Sequence, residues 1–343
     1  MPNSVASLWG HVRSWFSEEA TQVTLAFLPD PDGDPVAAND GYLRLWLAEG
    51  FLAQQRDWAA QQFPALHGGA SLTFLGGQSA FTTFSRPPEA WKVPGAQVDF
   101  PLTPLLPFTG GTVEIEAALF RASEDGPLGT AVTLLGDLMS LVGPPLATAA
   151  QIAGKISQGI DTVVTATGST PVLGLHWTMV SAGGGGHELR PGHLVLLSSP
   201  PAALPGIPAV RDGRLHLLVD GRPTLPTGLD YLVVRVECRV ERDDWRLPEL
   251  DELIRAAGEA AIRGQAQIFQ DRRTEALARA WSCADLVPPD RMRVALLVRD
   301  ELARMQELGA VPGPAYSLSE RSGALADRQD PQLQNLTLQS LLA

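Results

Sequence analysis

The sequence contains few cysteines and no cluster of basic residues, which are the residues that redox sites and nucleic-acid-binding surfaces need. Its 343 residues contain two cysteines, Cys238 and Cys283, without the paired spacing of a zinc site or a dithiol, so we expect buried free thiols in a reducing compartment. The formal net charge is −12, and no run of basic residues interrupts this acidity. A polyanion would be repelled on average, and we therefore expect no nucleic-acid partner.

Lysine is scarce in the sequence, and no targeting leader is indicated. Only two of the 26 basic residues are lysines, and this preference for arginine is typical of GC-rich bacterial genomes. The first residues, "MPNSVASLWGHVRSWFSEEA", contain no basic segment followed by an apolar run, so a secretory signal is not indicated. We therefore expect a bacterial, cytoplasmic protein.

Motifs that name a reaction are also missing. The glycines of "SAGGGGHELRPGH" are not followed by the Lys-Ser/Thr of a Walker loop, and they lack the strand-to-helix setting of a dinucleotide site. No G-x-S-x-G elbow is present. An enzyme is left open by the sequence but has no catalytic constellation to support it, and no resident cofactor is predicted.

The sequence also lacks a long uninterrupted apolar run. The most apolar stretch, Thr130 to Val164, is interrupted by Asp137, the pair Pro144-Pro145, Lys155 and Asp161. A membrane-spanning helix needs about 20 consecutive apolar residues, so this stretch does not qualify. Its apolar spacing of three and four residues instead predicts a helical hairpin at about 130–164, inserted between strands.

Three roles remain open for this hairpin: packing on a sheet, contact with another protein, or entry into a membrane after a conformational change. All three need the same amphipathic pattern, so the sequence does not separate them. The hairpin residues predicted to contact a partner are Leu135, Met139, Ile152 and Ile156.

What the sequence does contain is strand patterning. Apolar residues alternate with polar ones over Thr21–Leu28 and most cleanly over Leu232–Val240, and Pro- and Gly-rich turns separate many such segments. This pattern predicts a mainly β fold with α-helices, in which residues 1–241 form an antiparallel β-sandwich that carries the hairpin. The stretch Phe51–Phe63 is compatible with a helix or with another strand, and its alanines and glutamines favour the helix.

The period changes to that of a helix near Leu247. Two amphipathic segments predict a C-terminal helical unit over 242–310, followed by a flexible tail over 311–343. The tail is mostly polar until an apolar end that we expect to dock on a protein surface. Its interaction residues are predicted to be Leu336, Leu338 and Leu341.

Two groups of side chains are candidate metal ligands. His187, Glu188 and His193 offer the imidazole and carboxylate donors that suit zinc. Asp30, Asp32 and Asp34 of "DPDGDP" offer carboxylates at alternate positions, which suit Ca²⁺, although the segment departs from the EF-hand pattern. The alternative for each group is a solvated turn without metal.

These observations favour a non-catalytic bacterial protein-interaction or effector module whose partner is another protein. One alternative is a membrane-perturbing effector that uses the 130–164 hairpin after a trigger. A second alternative is a metal-dependent enzyme.

Overall fold

The chain is mainly β with α-helices and its sheets are antiparallel, which confirms the predicted fold class. A computed structural model describes residues 23–53, 56–57, 60–85, 99–123, 146, 171–307, 333 and 336–342. The contacts divide the chain into Met1–Arg239, here called the β unit, and Val240–Ala343, here called the helical unit.

Fourteen strands are described in the β unit. In chain order they are β1 (Thr24–Pro29), β2 (Gly41–Phe51), β3 (Arg56–Asp57), β4 (Ala60–Phe74), β5 (Gly77–Ser85), β6 (Phe100–Pro101), β7 (Leu106–Phe108), β8 (Thr112–Ser123), β9 (Leu173–Val180), β10 (Gly192–Leu197), β11 (Ile207–Arg211), β12 (Arg214–Val219), β13 (Arg222–Thr224) and β14 (Tyr231–Arg239). A six-stranded sheet has the order β1-β10-β14-β2-β6, with β7 also on β2. A five-stranded sheet has the order β3-β4-β8-β9, with β5 on β4, and β11-β12-β13 form a small third sheet.

The two larger sheets pack face to face. Phe27 of the six-stranded sheet and Trp177 of the five-stranded sheet have ring centroids 6.4 Å apart. Gly68 on β4 lies so close to Leu102 that an added Cβ would be 3.0 Å from its Cδ1. Alternate residues of the central strands are fully buried between the sheets, as in an aligned sandwich. They include Leu43, Leu45, Leu47, Ile115, Ala117, Leu119, Leu194 and Leu196.

The helix predicted over Phe51–Phe63 is wrong. Phe51 is the last residue of β2, and β4 has already begun at Ala60. Alanine and glutamine favour a helix intrinsically, but this preference amounts to tenths of a kcal/mol per residue. The backbone of β4 pairs with β8 from Gln62 to Ser71, and these tertiary hydrogen bonds override the local preference.

Three long helices and a short one are described in the helical unit. They are α1 (Pro248–Ile262), α2 (Ala266–Ser282), α3 (Pro288–Glu307) and α4 (Leu338–Leu342). Proline occupies the first position of α1 and α3, where its missing N–H costs nothing. Gly264 has φ +65° in the turn between α1 and α2, a conformation that glycine adopts without strain. The apolar faces of all four helices share one buried core.

Much of two predicted features lies outside the described residues. Of the 130–164 hairpin only Leu146 is described, and it is buried. Of the 311–343 tail only Leu333 and 336–342 are described. In the part of the chain that the structure describes, no helix is both long enough and apolar enough to cross a bilayer.

Candidate functional site

The acidic turn and the histidine segment meet at one end of the β unit. β1 pairs antiparallel with β10, with Pro29 opposite Gly192, so the residues after β1 lie beside the residues before β10. The N–H of Asp30 donates to the carbonyl of Pro191 at 3.0 Å, and the N–H of Val36 donates to the carbonyl of Leu189 at 2.7 Å. Strand pairing thus brings together two predicted ligand groups that are far apart in the sequence.

Arg190 fixes the shape of the acidic turn. Its Nε and Nη2 donate to the carbonyl of Gly33 at 3.1 and 2.6 Å. Gly33 itself is buried against Pro191, since an added Cβ would be 2.4 Å from the Pro191 Cγ. A larger residue at position 33 would push the turn away from the histidine segment.

A cleft of about 430 Å³ opens beside these turns, and we call it the loop-end cleft. Loops at the end of a rigid sheet scaffold are a common position for binding sites. The residues that line it are Phe27, Pro29, Trp177, Gly184, Gly186, His187, Glu188 and Arg190.

The aromatic side of the loop-end cleft is formed by Trp177 and His187. Trp177 is on β9, and its ring centroid lies 4.4 Å from that of the exposed His187 at an interplanar angle of 36°. The indole Nε1 of Trp177 is buried and has no hydrogen-bond partner among the described residues. Buried N–H groups without an acceptor are rare in folded proteins, which distinguishes this indole from an ordinary core residue.

The polar side of the cleft is held by a tight glycine loop, residues 181–186. The N–H of Gly183 donates to Oε1 of Glu188 at 2.8 Å. The N–H of Val180 donates to the carbonyl of His187, and the N–H of Leu189 donates to the carbonyl of Val180, each at 2.8 Å. This pairing closes the loop, and Glu188 and Arg190, which carry opposite charges, both line the cleft.

The predicted metal ligands are neighbours, yet they do not form a ligand group. Nδ1 of His193 lies 3.4 Å from Oδ1 of Asp30, while Asp32 and Asp34 are exposed in the turn. Burial lowers the pKa of His193, although Asp30 opposes that effect, so its imidazole is held neutral. Within the described ranges no three His, Cys, Asp or Glu side chains are placed to hold a metal ion. The zinc and calcium sites stay predictions.

The two thiols are poor nucleophiles. Burial raises the pKa of Cys238 to about 12, and burial also raises the pKa of Cys283. A thiol with a raised pKa supplies little thiolate near neutral pH. Neither cysteine lines the loop-end cleft.

The predicted interaction residues fall into two groups. Leu135, Met139, Ile152 and Ile156 lie outside the described residues. Leu341 is fully buried in the core of the helical unit, and Leu336 packs partly against that core. Leu338 is half-buried in α4.

Sequence reasoning missed three residues of the cleft: Phe27, Trp177 and Arg190. Phe27 and Trp177 continue the apolar alternation of β1 and β9, so each resembles an ordinary sandwich residue. Arg190 was the one residue with an available signal, because it is a charged residue directly before the Pro191-Gly192 turn.

No protein-family model, curated protein or solved structure matches the chain. No residue role is therefore carried over from a relative, and a functional inference depends on the chemistry of the cleft.

Proposed function

We propose that the protein is a non-catalytic bacterial interaction module of the cytoplasm that binds another protein through the loop-end cleft. The observation that carries the proposal is the buried, unpaired indole N–H of Trp177 beside the exposed ring of His187. A carbonyl or carboxylate of a bound segment would accept that hydrogen bond.

The composition of the cleft supports recognition of a polypeptide. Tryptophan and arginine are enriched among the residues that contribute most to protein–protein binding. Trp177 offers an aromatic surface, while Arg190 and Glu188 offer charges of both signs. A volume of about 430 Å³ accommodates one or two side chains of a partner.

The same lining gives little support to covalent catalysis. Among the described residues that line the cleft there are an imidazole and a carboxylate, but no serine, threonine or cysteine. A hydroxyl or thiol nucleophile of acyl transfer would need to lie within hydrogen-bond reach of its base. The cleft therefore suits binding better than acyl transfer.

Site-specific photo-cross-linking in the native host tests the proposal. A benzophenone amino acid at position 187 should give one dominant cross-linked protein, because His187 is exposed at the cleft. The same amino acid at position 207 is the matched control, since Ile207 is 72% exposed on β11 and does not line the cleft. Adducts should be recovered from position 187 and not from position 207.

The affinity for the cross-linked partner then tests whether the indole N–H of Trp177 takes part in binding. Trp177→Phe keeps an aromatic ring and removes the N–H, so it should weaken binding about tenfold, the value of one buried hydrogen bond. Equal cross-linking at positions 187 and 207, or no adduct at either, would show that the cleft is not the binding surface.

A further inference from the structure

The C-terminal segment of the chain docks on its own helical unit. Leu341 of α4 is fully buried in the core that α1, α2 and α3 share, and Leu336 and Leu342 pack partly against the same core. Leu333, just before this segment, is also buried. The main contacts of α4 are with α2 and α3, and we call the surface of these two helices that α4 covers the tail groove.

The start of α4 is stabilised by hydrogen bonds between residues of its own first turn. Oγ1 of Thr337 accepts a hydrogen bond from the N–H of Ser340 at 3.1 Å, and Oγ of Ser340 accepts one from the N–H of Thr337 at 3.0 Å. This reciprocal arrangement is that of a capping box. A helix as short as α4 is nevertheless unstable alone in water, so docking supplies most of its stability.

Arg273 recognises the end of the docked helix. Its Nη2 donates to the carbonyl of Leu341 at 3.1 Å, and its Nη1 donates to the carbonyl of Leu342 at 3.4 Å. The last carbonyls of a helix have no intrahelical donor, and a cation there is favourable. Buried leucines together with a clamp on the helix end correspond to recognition of a helix in a groove.

The covalent link permits the segment to be supplied in two ways. Residues 308–332 connect α3 to the docked segment, and a chain of this length spans at most about 85 Å. That reach covers the groove of the same molecule and the groove of a neighbouring copy. Exchange of an identical element between copies is a route to dimers of low energetic cost.

We propose that the tail groove is a receptor for a short leucine-bearing helix, and that residues 333–342 are its resident and exchangeable occupant. A second copy of this chain supplies the same segment in trans. This site belongs to the helical unit, so its test is independent of the loop-end cleft.

The test uses the full chain with a protease site inserted after residue 320. After cleavage, a fluorescent peptide of residues 333–343 is added and its binding is followed by anisotropy. The cut chain should remain folded by circular dichroism and take up the labelled peptide in exchange for its own segment. The uncut chain should bind the peptide at least about tenfold more weakly, because its tail competes at an effective concentration near millimolar.

Matched variants identify what the groove recognises. A peptide carrying Leu341→Ala should bind at least about 30-fold more weakly, since a buried leucine is lost. Arg273→Gln in the protein should weaken binding about tenfold, because two hydrogen bonds from a charged donor are removed. Arg272→Gln is the control and should leave binding unchanged, since Arg272 is exposed and pairs with Glu275 on the surface of the same helix.

Three results would overturn the proposal. Retention of its own segment by the cut chain without exchange, or unfolding of the cut chain as the segment leaves, would each show that α4 is an integral part of the core. Equal peptide affinities for Arg273→Gln and Arg272→Gln would show that no clamp exists.

Discussion

Replacement of Arg293 by methionine is expected to lower the free energy of unfolding of the helical unit by about 3–5 kcal/mol, the cost of breaking a buried ion pair from one side. Arg293 and Asp290 are both fully buried, and Nε of Arg293 donates to Oδ1 of Asp290 at 2.5 Å. Nη2 of Arg293 also donates to the carbonyl of Arg242 at 2.8 Å. The substitution removes the guanidinium that donates to the buried Asp290 carboxylate and removes a donor from the Arg242 carbonyl.

Chemical denaturation followed by circular dichroism at 222 nm measures this loss. Arg299→Met on the same helix is the matched control, because Arg299 pairs with Asp300 at the surface. The control should change the free energy of unfolding by less than about 0.5 kcal/mol. A loss for Arg293→Met no larger than the loss for Arg299→Met would mean that the buried network contributes little to the helical unit.

Replacement of Glu49 by glutamine is expected to remove a pH dependence from the stability of the β unit. Glu49 is fully buried on β2, and its Oε1 accepts a hydrogen bond from the N–H of Leu215 at 2.6 Å. This bond ties the three-stranded sheet to the six-stranded sheet. Burial raises the pKa of Glu49 to about 6 from 4.5, although the hydrogen bonds from Leu215 and Tyr231 oppose the rise.

The sign of the effect follows from proton binding. Between pH 4.5 and pH 6 the folded protein holds a proton on Glu49 that the unfolded chain has lost, so the free energy of unfolding falls as the pH rises. The full loss is about 2 kcal/mol, since one pKa unit corresponds to about 1.4 kcal/mol. Glutamine keeps an acceptor for Leu215 and does not titrate.

The measurement compares thermal unfolding of the two proteins from pH 4 to pH 7. The variant should gain about 2 kcal/mol on the wild type across this range, and the gain should occur between pH 4.5 and pH 6. Both proteins also contain His67, whose pKa burial lowers to about 4, so its titration makes the free energy of unfolding rise with pH. This contribution cancels in the difference between the two proteins, which is therefore the informative quantity. Parallel curves for the two proteins would contradict the buried titration of Glu49.

The strands were predictable where one face is buried and the other is wet. In β14 the residues Val234 and Val236 are buried while Arg235 and Glu237 are partly exposed, so the alternation in the sequence matches the alternation of the faces. The pattern fails for β4, where the Ala- and Gln-rich start has no such alternation. There the partner strand β8 decides the conformation, and a partner distant in sequence leaves no local signal.

The loop-end cleft was only half predictable. His187 and Glu188 were selected by their chemistry, but Phe27 and Pro29, which line the same cleft, come from β1, more than 150 positions earlier. The pairing of β1 with β10 brings these residues together. An alternating sequence pattern predicts that a segment is a strand, but it does not predict which strand it pairs with. The same limit applies to the pair of Asp30 and His193.

The buried charges could not be predicted from pattern at all. Glu49 lies where the register of β2 and β14 shifts, at an irregularity between Leu47 and Glu49 that interrupts the alternation of the two faces. Arg293 and Asp290 have the spacing of an ordinary surface pair on a helix, three residues apart. Charged residues are mostly exposed, so the burial of these three is a property of tertiary packing alone.

Hydrogen exchange on the complex with the cross-linked partner tests the central claim most directly. The account predicts that peptides covering 29–36 and 181–190 become protected when the partner binds, while peptides covering β11 at Ile207–Arg211 do not change. Protection confined to β11 or to the helical unit, with 29–36 and 181–190 unaltered, would contradict recognition through the loop-end cleft.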